Sequence, residues 1–164
     1  MRVYLPATLP LVAEWLQTGH ATPTTAAAVT PGLREWYREG DDEELEYAAQ
    51  RVAARLSLEL LAADPGLPRR RIVVAADVAD ADVAVLDEPR GTVSVGAAVP
   101  RTTWASALVD DEEADVVVSA AATALPAAAH GDPDASFALD EADATELGWY
   151  AVQELGPLLA DLLG

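Results

Sequence analysis

Carboxylates dominate the groups able to do chemistry: 28 Asp and Glu stand against 10 Arg, no Lys, 2 His and no Cys, for a formal charge of −18. Asp132, Asp134, Ser136 and Asp143 match positions 1, 3, 5 and 12 of a calcium-binding helix–loop–helix loop in oxygen-ligand type. The match fails at the turn, where Phe137 stands in place of the required Gly, and at its end, where Asp143 replaces a longer, bidentate Glu. We read these residues as a solvated acidic loop. Asp110, Asp111, Glu112, Glu113 and Asp115 form a denser cluster where a helix is expected to begin, and capping with dipole complementarity accounts for them. Asp77 is different. It follows the most strand-like run in the chain, and the carboxyl end of an interior strand is where open α/β sheets place ligands, so Asp77 is the candidate ligand-site residue.

Other chemistries lack their residues. Without Cys there is no disulfide, thiolate nucleophile or zinc ribbon, and without Lys no Schiff base or phosphate-loop Lys. His20 and His130 each sit beside a Gly in a loop-like context, and no Ser lies in a Gly-x-Ser-x-Gly setting. No metal or cofactor is expected. Arg69-Arg70-Arg71 is the one concentrated cationic feature; at a strand start, successive side chains point to opposite faces, so the triplet is expected to pair with the acidic second half. Two Trp–Tyr pairs remain, Trp36-Tyr37 and Trp149-Tyr150, each placed by periodicity within a helix. Adjacent helical residues point apart, leaving one ring of each pair at the boundary, where aromatic side chains anchor protein interfaces. These four residues form the candidate interaction surface.

The elements that must position these groups are read from periodicity and breakers. Arg2 to Leu5 is a strand closed by Pro6; Thr8 caps a helix along Leu9, Val12, Ala13 and Leu16 that ends at Gly19. Thr25 to Thr30 is a weaker strand, and Pro31 opens a helical turn stopped at Gly40. Asp41 or Asp42 caps a long helix to about Asp64, with Leu45, Ala49, Val52, Leu56 and Leu60 as its apolar stripe. Arg71 to Ala76 is an interior strand covered on both faces. Val83 to Leu86 is an edge strand or loop; Thr92 to Val99 and Ala105 to Val109 are further strands. A helix then runs to Pro126, residues 127–136 read as a mobile loop, and a helix around Thr145 to Leu155 is followed by a break at Gly156-Pro157 and a short amphipathic tail. The expected architecture is α/β: a single layered domain, residues 1–164, with a mixed sheet of four to five short strands and about four helices.

The charge is asymmetric. Residues 1–72 hold 8 Arg against 10 acids and residues 73–164 hold 2 Arg against 18, a net of −2 and −16. Nucleic acid and anionic lipid are poor partners for such a surface, because phosphate binding draws on a basic face. No charged segment leads into an apolar stretch near the N-terminus, and Ala114 to Ala129 is interrupted by Asp115, Ser119, Thr123 and Pro126, so the expectation is a cytoplasmic protein. The 35 Ala, the absence of Lys and Asn, and Arg as the permanent cation fit a GC-rich genome.

Met1 to Thr8, Val29-Thr30-Pro31 with Leu33 to Tyr37, Glu43 to Tyr47, and Trp149-Tyr150-Ala151 with Gln153-Glu154 together resemble an uncharacterised family of small acidic proteins from high-GC Gram-positive bacteria. The resemblance runs over nearly the whole chain and implies a bacterial cytosolic setting without implying a mechanism. With no complete catalytic set, the expected function is non-enzymatic contact with a protein partner or with a second copy. The alternative is a small-ligand binder or carboxylate/Mg-dependent enzyme built near Asp77.

Overall fold

The computed structural model describes residues 1–23 and 25–164. The chain runs β1 (Arg2–Ala7), α1 (Leu9–Thr18), β2 (His20–Ala21), β3 (Thr25–Ala28), α2 (Pro31–Trp36), α3 (Asp42–Ala63), β4 (Ile72–Asp77), β5 (Val83–Val85), β6 (Thr92–Val95), β7 (Val99–Pro100), β8 (Trp104–Val109), α4 (Asp115–Ala129), α5 (Pro133–Ala144), β9 (Gly148–Tyr150) and α6 (Leu155–Leu163). Seven strands form one sheet in the order β5-β6-β3-β1-β4-β8-β9, and β2 pairs separately with β7. Every pairing is antiparallel, which corrects the expected mixed sheet, and the described residues hold six α-helices where about four were expected. Burial on both faces makes a strand uniformly apolar whichever way its neighbours run, so the apolar run of β4 carries no information about direction.

Strand alternation divides the core between the two faces of the sheet. Val3 and Leu5 of β1, with Ile72, Val74 and Ala76 of β4, meet Leu9, Val12 and Trp15 of α1 and Leu155 and Leu159 of α6. Tyr4, Val73 and Ala75 point the other way, onto Leu45, Ala49 and Ala53 of α3. Beyond α3, the hairpin of α4 and α5 packs Val118, Ala121 and Leu139 against Leu58 and Leu61. The buried Ser57 hydroxyl donates to the Ala7 carbonyl at 2.7 Å and accepts from the Ile72 amide at 3.2 Å, fixing α3 across the ends of β1 and β4.

Several expected boundaries move. β1 continues through Pro6 to Ala7, because Pro6 takes its register opposite Val73 within the β1–β4 pair. The buried side of α3 is rich in Ala, with Ala48, Ala49, Ala53 and Ala54 beside Leu45, Leu58 and Leu61. Of the expected stripe, Leu45 and Ala49 are buried, Val52 packs half-buried beside them, Leu56 is half-buried and Leu60 is exposed. Small side chains let a helix approach a sheet closely, which a reading weighted by side-chain bulk does not register. Pro126 lies inside α4, and the expected loop at 127–136 is mostly helix, broken only at residues 130–132. Asp132 accepts from the Asp134 and Ala135 amides and so caps α5. The expected helix at Thr145 to Leu155 is instead strand β9 followed by a 3-10 turn, and Gly156-Pro157 falls in the first turn of α6, where Pro has no helical hydrogen bond to lose.

Candidate functional site

Thr30 caps α2 by accepting from the Leu33 amide at 3.2 Å, and Pro31 occupies the first helical position. A tertiary contact completes this helix start. The Asp87 carboxylate, in the loop after β5, accepts from the Thr30 hydroxyl, from the Gly32 amide at 3.0 Å and from the Gly91 amide at 2.9 Å. Burial alone pushes the Asp87 pKa up, but the hydrogen bonds from Thr30, Gly91 and Gly32, with nearby Arg90, outweigh it and hold the carboxyl below its ordinary value. Gly is required twice here. A Cβ on Gly32 meets the Asp87 carboxylate at 2.7 Å, and Gly91, at φ +87°, leaves no room beside Leu33. The same loop places the Arg90 guanidinium 4.1 Å from the centre of the Trp36 ring, a cation–π stack on a side chain that is 63% exposed.

From Trp36 the surface continues along α3. Tyr37 and Tyr47 are exposed and border one shallow groove with Arg51. Tyr47 donates to Glu146 at 3.2 Å, and burial together with this carboxylate raises the phenol pKa. Behind Tyr47 lies a cavity of about 220 Å³ between α3 and the segment joining α5 to β9. Ala54, Leu108 and Leu147 give it apolar walls, Arg51 and Asp143 stand at its sides and Arg71 lines it from within.

The second aromatic pair sits on β9. Leu108 pairs with Trp149 and Ala107 with Tyr150, so the two rings take opposite faces of the sheet. Trp149 shares the α3 side with Leu108 and is 66% exposed; Tyr150 packs against the core shared by α1 and α6. The structure thus brings Trp36, Tyr37 and Trp149 to one side of the molecule and turns Tyr150 away from them. Tyr47 and Arg51 join this side without having been singled out from sequence, although their i,i+4 spacing puts them together on α3.

Asp77 ends β4 at the surface, where the Arg2 Nε donates to its Oδ1 at 2.9 Å and Nη2 to its Oδ2 at 3.3 Å. The Arg2 hydrogen bonds hold its pKa below the ordinary value. Among the described residues no three His, Asp or Glu side chains gather closely enough to hold a metal ion. The Arg triplet does engage the second half: Arg70 Nε lies 3.3 Å from Asp115, and Arg71 forms a buried pair with Asp110. Arg69 instead donates to the Leu61, Asp64 and Leu67 carbonyls, closing the end of α3.

No helix among the described residues is long and apolar enough to cross a membrane. No curated protein and no solved structure matches the chain. A family model matches residues 1–159, and the chain accordingly belongs to DUF6912, a family of unknown function.

Proposed function

We propose that this is a non-enzymatic protein that acts through contact with a protein partner or a second copy of itself, using the side of the molecule that carries α3. One observation carries the reading: Trp36, Tyr37, Tyr47 and Trp149 all leave large aromatic surface open to solvent on that side. Large rings add contact area with little side-chain entropy to lose, which is why interfaces concentrate them. Mixed charge around the rings, from Arg51 and Arg90 to Glu43 and Glu146, supplies the polar rim such a surface needs. The formal charge of −18 argues against nucleic acid as the partner and fits a cytoplasmic, bacterial setting. The alternative of an enzyme at Asp77 has less support, because both of its carboxylate oxygens are engaged by Arg2.

Light scattering across a concentration series, together with affinity capture, tests this. The expected result is a dimer, or a captured partner, whose contact is lost in the Trp36→Ser/Trp149→Ser double variant while circular dichroism stays native. A strict monomer that captures nothing, or an association indifferent to both substitutions, overturns the proposal.

A further inference from the structure

We infer that the cavity behind Tyr47 is a binding site for a small apolar carboxylate. Arg71 provides the first observation. Its guanidinium carries five N–H donors. Nε and Nη2 serve Asp110, Nη2 also serves the Thr145 carbonyl, and Nη1 reaches only the Ala142 carbonyl. One Nη1 hydrogen therefore has no protein acceptor, on a residue that is buried and lines the cavity. A buried N–H without an acceptor is costly, so it favours an incoming oxygen.

The second observation is the balance of charge around the opening. Asp143 is engaged by Arg55 at 2.7 Å, and Glu146 accepts from Tyr47. Arg51 has no carboxylate within 4.0 Å among the described residues, so the cation still available at the cavity is Arg51. An oxyanion there meets a guanidinium whose fork geometry suits carboxylate. Ala54, Leu108 and Leu147 offer apolar wall to the body of such a ligand, with Gln50 and Thr145 as polar neighbours. An apolar cavity of about 150 Å³ accepts benzene. The 220 Å³ here therefore accommodates a ring with a short carboxylate arm.

The cavity shares Tyr47, Arg51 and Glu146 with the proposed contact face, but its test reads ligand binding by the single chain and not association, so either reading can fail without the other. Phenylacetate and hexanoate are titrated into the full chain by NMR, with phenylacetamide and hexanamide as neutral controls. The carboxylates are expected to shift the amides lining the cavity and to bind at least about tenfold more tightly than the amides. Arg51→Gln, an exposed substitution, is expected to weaken phenylacetate about tenfold and leave phenylacetamide unchanged. Ala54→Leu fills the cavity and is expected to abolish binding of both. If Ala54→Leu fails to fold, Leu147→Trp, at a half-buried lining residue, is the filling variant, checked by circular dichroism. No shift with either carboxylate, equal binding of acid and amide, or binding that survives the filling variant overturns the inference.

Discussion

β4 carries an Arg–Asp fork at each end, and the two differ in solvent rather than in geometry. At its start, Arg71 Nε and Nη2 lie 2.8 Å from the two oxygens of Asp110, with side chains 3% and 0% exposed. At its end, Arg2 makes the same pattern with Asp77 at 2.9 and 3.3 Å, with side chains 40% and 63% exposed. Near water, screening and side-chain entropy cancel most of the attraction. Away from water, removing two charges from solvent is expensive, and the pair is tolerated only where the remaining valences are filled. They are nearly filled here. Asp110 also accepts from the Arg71 amide at 2.8 Å, and Arg71 reaches the Ala142 and Thr145 carbonyls, which ties the end of α5 to β4. The buried fork is thus a structural joint between layers, whereas the exposed one joins two strand ends that the sheet already holds.

Breaking the buried fork is expected to give the largest effect. Asp110→Ala leaves the Arg71 guanidinium buried without its counter-charge and is expected to lower stability by about 3–5 kcal/mol, read from the urea midpoint. Asp110→Leu/Arg71→Met, which removes both charges and keeps the volume, is expected to recover most of that loss. A double variant as unstable as Asp110→Ala shows that the hydrogen bonds to α5, rather than charge compensation, dominate the joint.

Sequence reading located the elements that carry local signals. Thr8 and Asp41 each accept from an amide at the start of their helix, as expected, whereas Thr30, expected to end a strand, caps α2. β9 forms where a helix is expected, since Glu146, Leu147, Trp149 and Tyr150 also suit a helix; pairing with β8 decides their conformation, and no local residue encodes that partner. The same holds for the site. Trp36 and Trp149 could be singled out by size, but bringing them to one side depends on which face of β8 accepts β9. Asp87 and Asp110 carry no local sign of their tertiary roles, because Thr30 and Arg71 lie 57 and 39 residues away in sequence, and Asp110, expected among the helix-start acids, accepts from Arg71 instead.

Asp87 is intermediate between the two forks, with a half-buried carboxylate held by neutral donors. Asp87→Asn keeps a residue that tolerates the left-handed conformation at φ 54° but replaces one acceptor oxygen with a donor that faces N–H groups. A loss of about 1–3 kcal/mol is expected, with Arg90 leaving Trp36, visible as a change in Trp fluorescence. The Asp87 pKa is held below its unfolded value of about 3.9, so its stabilisation is complete above that pH and is lost as pH falls through the lower folded value. In Asp87→Asn that part of the acid transition is expected to vanish. If the variant's stability falls with acid as steeply as the parent's, the contribution lies elsewhere among the carboxylates.

The exposed fork predicts the smallest change, and it bears most directly on the comparison. Asp77→Asn removes the charge that Arg2 contacts while the β1–β4 ladder stays paired from Arg2 to Ala7. The expected loss is about 0–1 kcal/mol, smaller again in about 1 M salt, where screening acts over roughly 3 Å. The Asp77 carboxyl, followed by NMR, is expected to titrate below its ordinary value in the parent chain and to return towards it in Arg2→Gln, because the Arg2 hydrogen bonds are the leading cause of the shift. A stability loss in Asp77→Asn matching that of Asp110→Ala contradicts the distinction by solvent exposure. A small loss together with a large titration shift supports it, because an exposed partner can bias protonation while water supplies nearly equivalent solvation to the unpaired group.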